Sequence, residues 1–149
     1  MDIVLIALLP VIFLIHDFEE IIFQSEWISK NGDRLIKQFP LLKKPVGQLQ
    51  KISIRGFTVA VAEEFIIIGA VTIYTLISGN LLLWTAVFMA FSIHIVIHLL
   101  QFAVIRKYIP ALVTSILCIP YIIYTLSAII DTQIFSSTEH KKQCIMHNL

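Results

Sequence analysis

Carboxylates and imidazoles set into stretches that otherwise carry almost no polar side chains constrain this chain more than any other feature. Runs such as Ile3 to Ile15 and Ile66 to Ile77 lack the polar face of a soluble amphipathic helix. Four segments, about residues 3–23, 52–76, 81–104 and 109–130, are each long enough to cross a hydrocarbon core. A helix rising about 1.5 Å per residue needs roughly 20 residues to do so. A barrel would need alternating strands of about half that length, and no such alternation is visible. The expected architecture is all-α: a polytopic membrane protein with a four-transmembrane-helix bundle in residues 1–135 and a polar, flexible tail over residues 136–149. A composition of 58% hydrophobic and 14% charged residues agrees with the membrane class and leaves no length for a separate soluble domain.

Local signals place the joints. Ser78-Gly79-Asn80 reads as a tight turn between the second and third segments, Pro110 opens the fourth, and Pro120 and Pro10 fall where they would kink a helix. The N-terminal apolar run follows Asp2 rather than a basic region and continues into His16 without a small-residue cleavage site, so it reads as retained. The first connection carries Lys30, Arg34, Lys37, Lys43, Lys44 and Lys51, the third carries Arg106 and Lys107, and the second is uncharged. The positive-inside rule then puts connections one and three in the cytoplasm and both termini outside, although Lys141 and Lys142 in the tail oppose this. Trp27 to Phe39 alternates apolar and basic groups, which suits a short interfacial helix against anionic headgroups or, equally, a solvated basic loop.

A net charge of +1 provides no basic field for nucleic acid, which leaves the lipid bilayer as the expected partner. Cys118 and Cys144 form neither a disulfide framework nor the spaced pairs of a zinc ribbon. Tyr74, Tyr108, Tyr121, Tyr124 and Trp84 read as interfacial belts or packing.

His16-Asp17-Phe18-Glu19-Glu20 forms an HxxEE cluster near the inner end of the first segment. At about 100° per residue, His16, Glu19 and Glu20 fall on one narrow face, with Asp17 at its edge. Glu63 and Glu64 occupy the middle of the second segment, and His94 and His98 sit one turn apart on the third, with Gln101 next on that face. In antiparallel helices these groups fall at similar depth. An unpaired acid at the centre of a span costs about 2.5–3.5 kcal/mol on insertion scales, so five of them facing lipid would rival the stability of a domain. They must face inward. Arg55 lies about two turns, roughly 12 Å, from Glu63, and no lysine or arginine interrupts the first or third segment, so protons or bound cations must supply the balance. Mixed histidine and glutamate donors suit zinc, iron or manganese better than calcium or magnesium.

At these residues the sequence resembles the HXXEE-motif family of bacterial integral membrane proteins. The resemblance rests on His16-Asp17-Phe18-Glu19-Glu20, on Ser92-Ile93-His94-Ile95-Val96-Ile97-His98, and on Arg106-Lys107-Tyr108-Ile109-Pro110-Ala111 running to Pro120. Members resembling this pattern show asparagine four residues before the second histidine and glycine after the proline; here His94 and Ala111 stand in those places. The resemblance implies a bacterial plasma-membrane location and a site made of His16, Glu19, Glu20 and His98, suggestive of catalysis but without an assigned reaction.

The leading expectation is a metal-dependent membrane hydrolase acting on a lipid or another membrane-embedded substrate. His16, Glu19, Glu20, His94 and His98 are its metal ligands, and Glu20, Glu63, Glu64 and His94 its catalytic acids and bases. A two-metal oxidase is the variant, disfavoured because His precedes Glu where di-iron bundles have Glu-x-x-His. The first alternative is a proton or metal-ion relay or transport component, which with four helices requires an oligomer. The second is a structural or accessory membrane subunit whose polar seam only holds helices together.

Overall fold

In the computed structural model the backbone is described for residues 1–146 and the side chains for residues 1–132. The tail expected over residues 136–149, with Lys141, Lys142 and Cys144, therefore lies outside the residues whose side chains are described. Five α-helices follow one another: α1 (Ile3–Gln38), α2 (Lys43–Leu49), α3 (Ile54–Ser78), α4 (Leu82–Ile105) and α5 (Leu112–Met146), with a 3-10 turn, Pro40–Leu42, before α2. There is no strand among the described residues.

Among the described residues, three helices are long and apolar enough to cross a membrane: α3, α4 and the Leu112–Thr132 part of α5. The fourth expected segment, residues 3–23, is the first half of α1, and it falls short on composition rather than on length. Every window of 18 residues within that segment contains Asp17, Glu19 and Glu20. The acids that make the segment interesting are the ones that remove it from the apolar class. Its neighbours nevertheless run beside it from end to end. At one end Met1 shares a hollow with Leu81, Leu82, Ile129 and Thr132. At the other, the indole of Trp27 donates to the Tyr108 carbonyl at 2.7 Å.

The interfacial helix expected from Trp27 to Phe39 is not separate, because α1 runs unbroken to Gln38. At about 1.5 Å per residue those 36 residues span about 54 Å, well beyond a hydrocarbon core of about 30 Å. The excess is covered by the 3-10 turn and α2, which fold back so that Val46 packs on Ile28 and Leu35. Gly32 lies within α1, where a Cβ would collide with the Gln50 side chain and crowd Val46.

The Ser78-Gly79-Asn80 turn is as expected. Gly79 caps α3 at φ +72°, a left-handed conformation that glycine adopts without steric cost, and Asn80 Oδ1 accepts the Leu82 amide at 2.9 Å. Pro10 and Pro120 both lie inside continuous helices. Pro10 has no N–H for the carbonyl of Ile6, and the Trp84 indole donates to that carbonyl instead, at 3.2 Å. Trp84 is completely buried and stacks on Phe88, which meets Tyr121 edge-on. Trp84 and Tyr121 thus belong to the core that joins α1, α4 and α5, whereas Tyr74 and Tyr124 are exposed.

Candidate metal centre

The HxxEE residues present one buried face of α1: His16, Asp17, Glu19 and Glu20 are all buried while Phe18 points outward. Opposite them α4 supplies its pair one turn apart. The His94 and His98 rings have centroids 4.5 Å from each other and each lies 5.2 Å from His16. The ring nitrogens His94 Nε2 and His98 Nε2 are 3.0 Å apart, and Glu20 Oε1 is 2.9 Å from His98 Nε2. His16, Glu20, His94 and His98 each offer one donor atom, and these atoms all lie within 4.8 Å of one another.

A hydrogen-bonded network satisfies this arrangement poorly. His98 Nε2 carries at most one proton, yet it faces both a second imidazole nitrogen and a carboxylate oxygen. His16 Nε2 and His98 Nδ1 are buried with no hydrogen-bond partner. Each such orphan costs about 1–3 kcal/mol. Two donors held by one ion at about 2.0–2.1 Å lie roughly 3.0–3.4 Å apart, close to the 3.0 and 2.9 Å that separate His98 Nε2 from His94 Nε2 and Glu20 Oε1, while the whole set lies within 4.8 Å. The donor set therefore fits a divalent cation.

Glu19 is not brought to this group. Its Oε2 accepts the Thr114 amide at 2.8 Å and the Thr114 hydroxyl at 2.7 Å, and its Oε1 accepts the Tyr108 hydroxyl at 2.7 Å and, more weakly, the Val113 amide at 3.4 Å. Those amides belong to the first turn of α5 and have no acceptor within their own helix, so a carboxylate from α1 caps α5 across the bundle. Burial and the adjacent Glu19 carboxylate push the Tyr108 hydroxyl up to about 12, so it stays a protonated donor at physiological pH.

The same cap reaches the centre. The Thr114 hydroxyl has one proton, and its 2.7 Å contact with a carboxylate claims it. The 3.1 Å contact between His16 Nδ1 and Thr114 Oγ1 must then be donated by the ring. That assigns the proton to Nδ1 and leaves the buried Nε2 with a free lone pair, the arrangement by which an outer hydrogen bond orients a metal-binding histidine. The segment was expected as a span, but Thr114 was not singled out by sequence reasoning; the available signal was a threonine in the first turn after Pro110.

The remaining candidates separate. Glu63 and Glu64 were expected to face inward, but both are exposed, because adjacent positions on α3 turn away from the α1 and α4 cluster; Glu64 still lines a cleft with His94, and Glu63 stands apart from it. Asp17 is buried with Oδ2 unpartnered and feels the charges of Glu20 and Glu64. Ala111, where the resemblance expects glycine, is fully buried at φ +67°, in the left-handed region that glycine adopts most readily. The family pattern thus marks the turn that delivers Thr114.

An all-helical chain with three membrane-compatible helices and a buried histidine–glutamate cluster defines the class. The chain belongs to the family described as proteins of unknown function with an HXXEE motif, whose model matches residues 7–125. No curated protein and no solved structure matches it.

Thr114→Val, which keeps the shape and removes the hydroxyl, should lower unfolding stability in mixed micelles by about 1–3 kcal/mol. Thr114→Ser should cost clearly less. Equal losses in the two variants would contradict the bridge from Glu19 to His16.

Proposed function

We propose that this chain is a four-span membrane protein in which His16, Glu20, His94 and His98 hold one divalent metal ion, and that it works as a metal-dependent hydrolase on a membrane-embedded substrate. The observation that carries the reading is the convergence of those four side chains, with the His16 Nε2 lone pair buried and unpartnered. α1 counts as the fourth span because its acids face the bundle: Glu20 would be matched by the ion, and Glu19 is met by the amides of Val113 and Thr114 and the hydroxyls of Thr114 and Tyr108.

His16, Glu20, His94 and His98 would suit zinc, iron or manganese, and an ion held there would supply Lewis acidity. The chain's own groups do the rest. Glu64, on the cleft beside His94, takes the proton of the attacking water as its oxygen bonds to the ester or amide carbonyl carbon. It returns that proton to the leaving oxygen or nitrogen as the old bond breaks. Glu19 and Thr114 act as positioning residues, holding His16 in the tautomer that can coordinate.

Asp17 favours a second reading. A buried carboxyl with Oδ2 unpartnered, within reach of the charges of Glu20 and Glu64, is what a proton relay through the bundle would use.

Both termini and the Gly79 turn belong on the outer face, with α2 and Arg106 on the cytoplasmic face. In intact cells, cysteines placed at Asp2 and Asn80 should react with a membrane-impermeant reagent while one at Lys44 should not. Labelling of Asn80→Cys without Asp2→Cys would remove α1 from the spans.

Elemental analysis of detergent-purified protein should find close to one equivalent of zinc, iron or manganese, lost in His98→Ala and retained in Glu63→Gln. Thr114→Val should weaken metal affinity by about 10–100-fold. A folded wild-type protein without metal after metal-replete growth would sink the centre and move the assignment to the proton relay.

A further inference from the structure

Two cavities reach the candidate centre from different directions. One, of about 340 Å³, lies between α1, α3 and α4 and is walled by Phe13, Ile67, Ile68, Val87 and Phe91, with Glu64 and His94 as its polar groups. Ile67 and Ala90 on its rim are exposed, so the cleft opens sideways from the bundle, toward the acyl chains if α3 and α4 span the bilayer. The other, of about 320 Å³, lies under the folded-back α2 and meets the centre at Glu20 and His98. It carries the side-chain amides of Gln24 and Gln101 among apolar residues that include Val46 and Leu49. His94 lines the first cavity and His98 the second, and their Nε2 atoms are 3.0 Å apart, so the two hollows meet at the imidazole pair.

We infer that these cavities are two halves of one substrate site, and that the substrate is a single-chain amphiphile with an uncharged polar head: a monoacylglycerol or a simple N-acyl amide. The inference rests on the metal-centre reading and specifies its substrate. The sideways cleft takes the chain. At about 30 Å³ for a water-sized group, its volume holds roughly eleven such groups, enough for one aliphatic tail and not two. The cavity under α2 takes the head, because its free amides can donate to and accept from hydroxyls or an amide. No lysine or arginine lines either cavity, and Glu20 and Glu64 are their carboxylates, so a phosphate or carboxylate head would be desolvated without a side-chain cation. A molecule lying across both hollows has its ester or amide bond at the imidazole pair.

The test uses the full chain in mixed micelles and a monoacylglycerol carrying a diazirine in its acyl chain, with the sites of photolabelling mapped by peptide mass spectrometry. Label is expected at Phe13, Ile67, Ile68, Val87 and Ala90. Excess unlabelled monoacylglycerol should remove it and excess lysophosphatidylglycerol should not. Ala90→Trp, which fills the cleft, should lose the label while keeping bound metal; Ile67→Trp at the rim is the second variant should the first not fold. Label spread evenly over outward residues such as Ile3, Leu117 and Ile123, or equal competition by the anionic lipid, would overturn the inference. Metal content measured on the same samples keeps the two ideas apart. Metal present with scattered label refutes the substrate assignment alone, whereas specific label on metal-free protein supports the cleft and refutes the centre.

Discussion

The interaction on which the rest depends is the carboxylate of Glu19 at the start of α5. A helix beginning inside a bundle exposes amides that nothing in its own first turn can satisfy, and in an apolar surrounding each is expensive to leave unpaired. Glu19 answers the amides of Val113 and Thr114 from another helix and takes the hydroxyls of Thr114 and Tyr108 as well. That one side chain locks α1 against the turn after α4 and against α5. Because Thr114 spends its proton on Glu19, it can only accept from His16, so the fold's fastening also sets which histidine nitrogen is free.

The two glutamates of the motif thus divide their tasks. Glu19 holds the backbone of another helix, and Glu20, one position on and about 100° around the helix, joins the imidazoles of α4. A motif with only one of them would have either a fastened bundle without its carboxylate donor or a donor on a helix free to rotate. The α4 pair contributes two rings from a rigid element, where spacing of one turn brings both nitrogens to the same place.

Much of this was legible in the sequence because it follows from periodicity. The helical class, the Gly79 turn, the inward face of the HxxEE cluster and the pairing of His94 with His98 all come from counting residues along a helix. What could not be read depends on contacts between helices. Glu19 and Glu20 share a face, and only the amides of α5, which carry no side-chain signature, tell them apart. Glu63 and Glu64 are both exposed, and only the rotation of α3 decides that Glu64 lines the cleft and Glu63 does not. The length of α1 escaped for a related reason: the basic groups from Lys30 to Lys37 set that stretch apart from the apolar run before it, and the packing of α2 on Ile28 and Leu35 has no local signature. Trp84, read as belt or packing, proved to answer the carbonyl that Pro10 leaves free, a pairing across 78 positions of sequence.

The most direct measurement is X-ray absorption at the metal edge of the purified, metal-loaded protein. The account predicts scattering from three imidazoles and one carboxylate at about 2.0–2.2 Å, with one imidazole contribution removed in His16→Ala and none removed in Glu19→Gln. A metal environment of water and carboxylate oxygens alone, or one unchanged by His16→Ala, would contradict it.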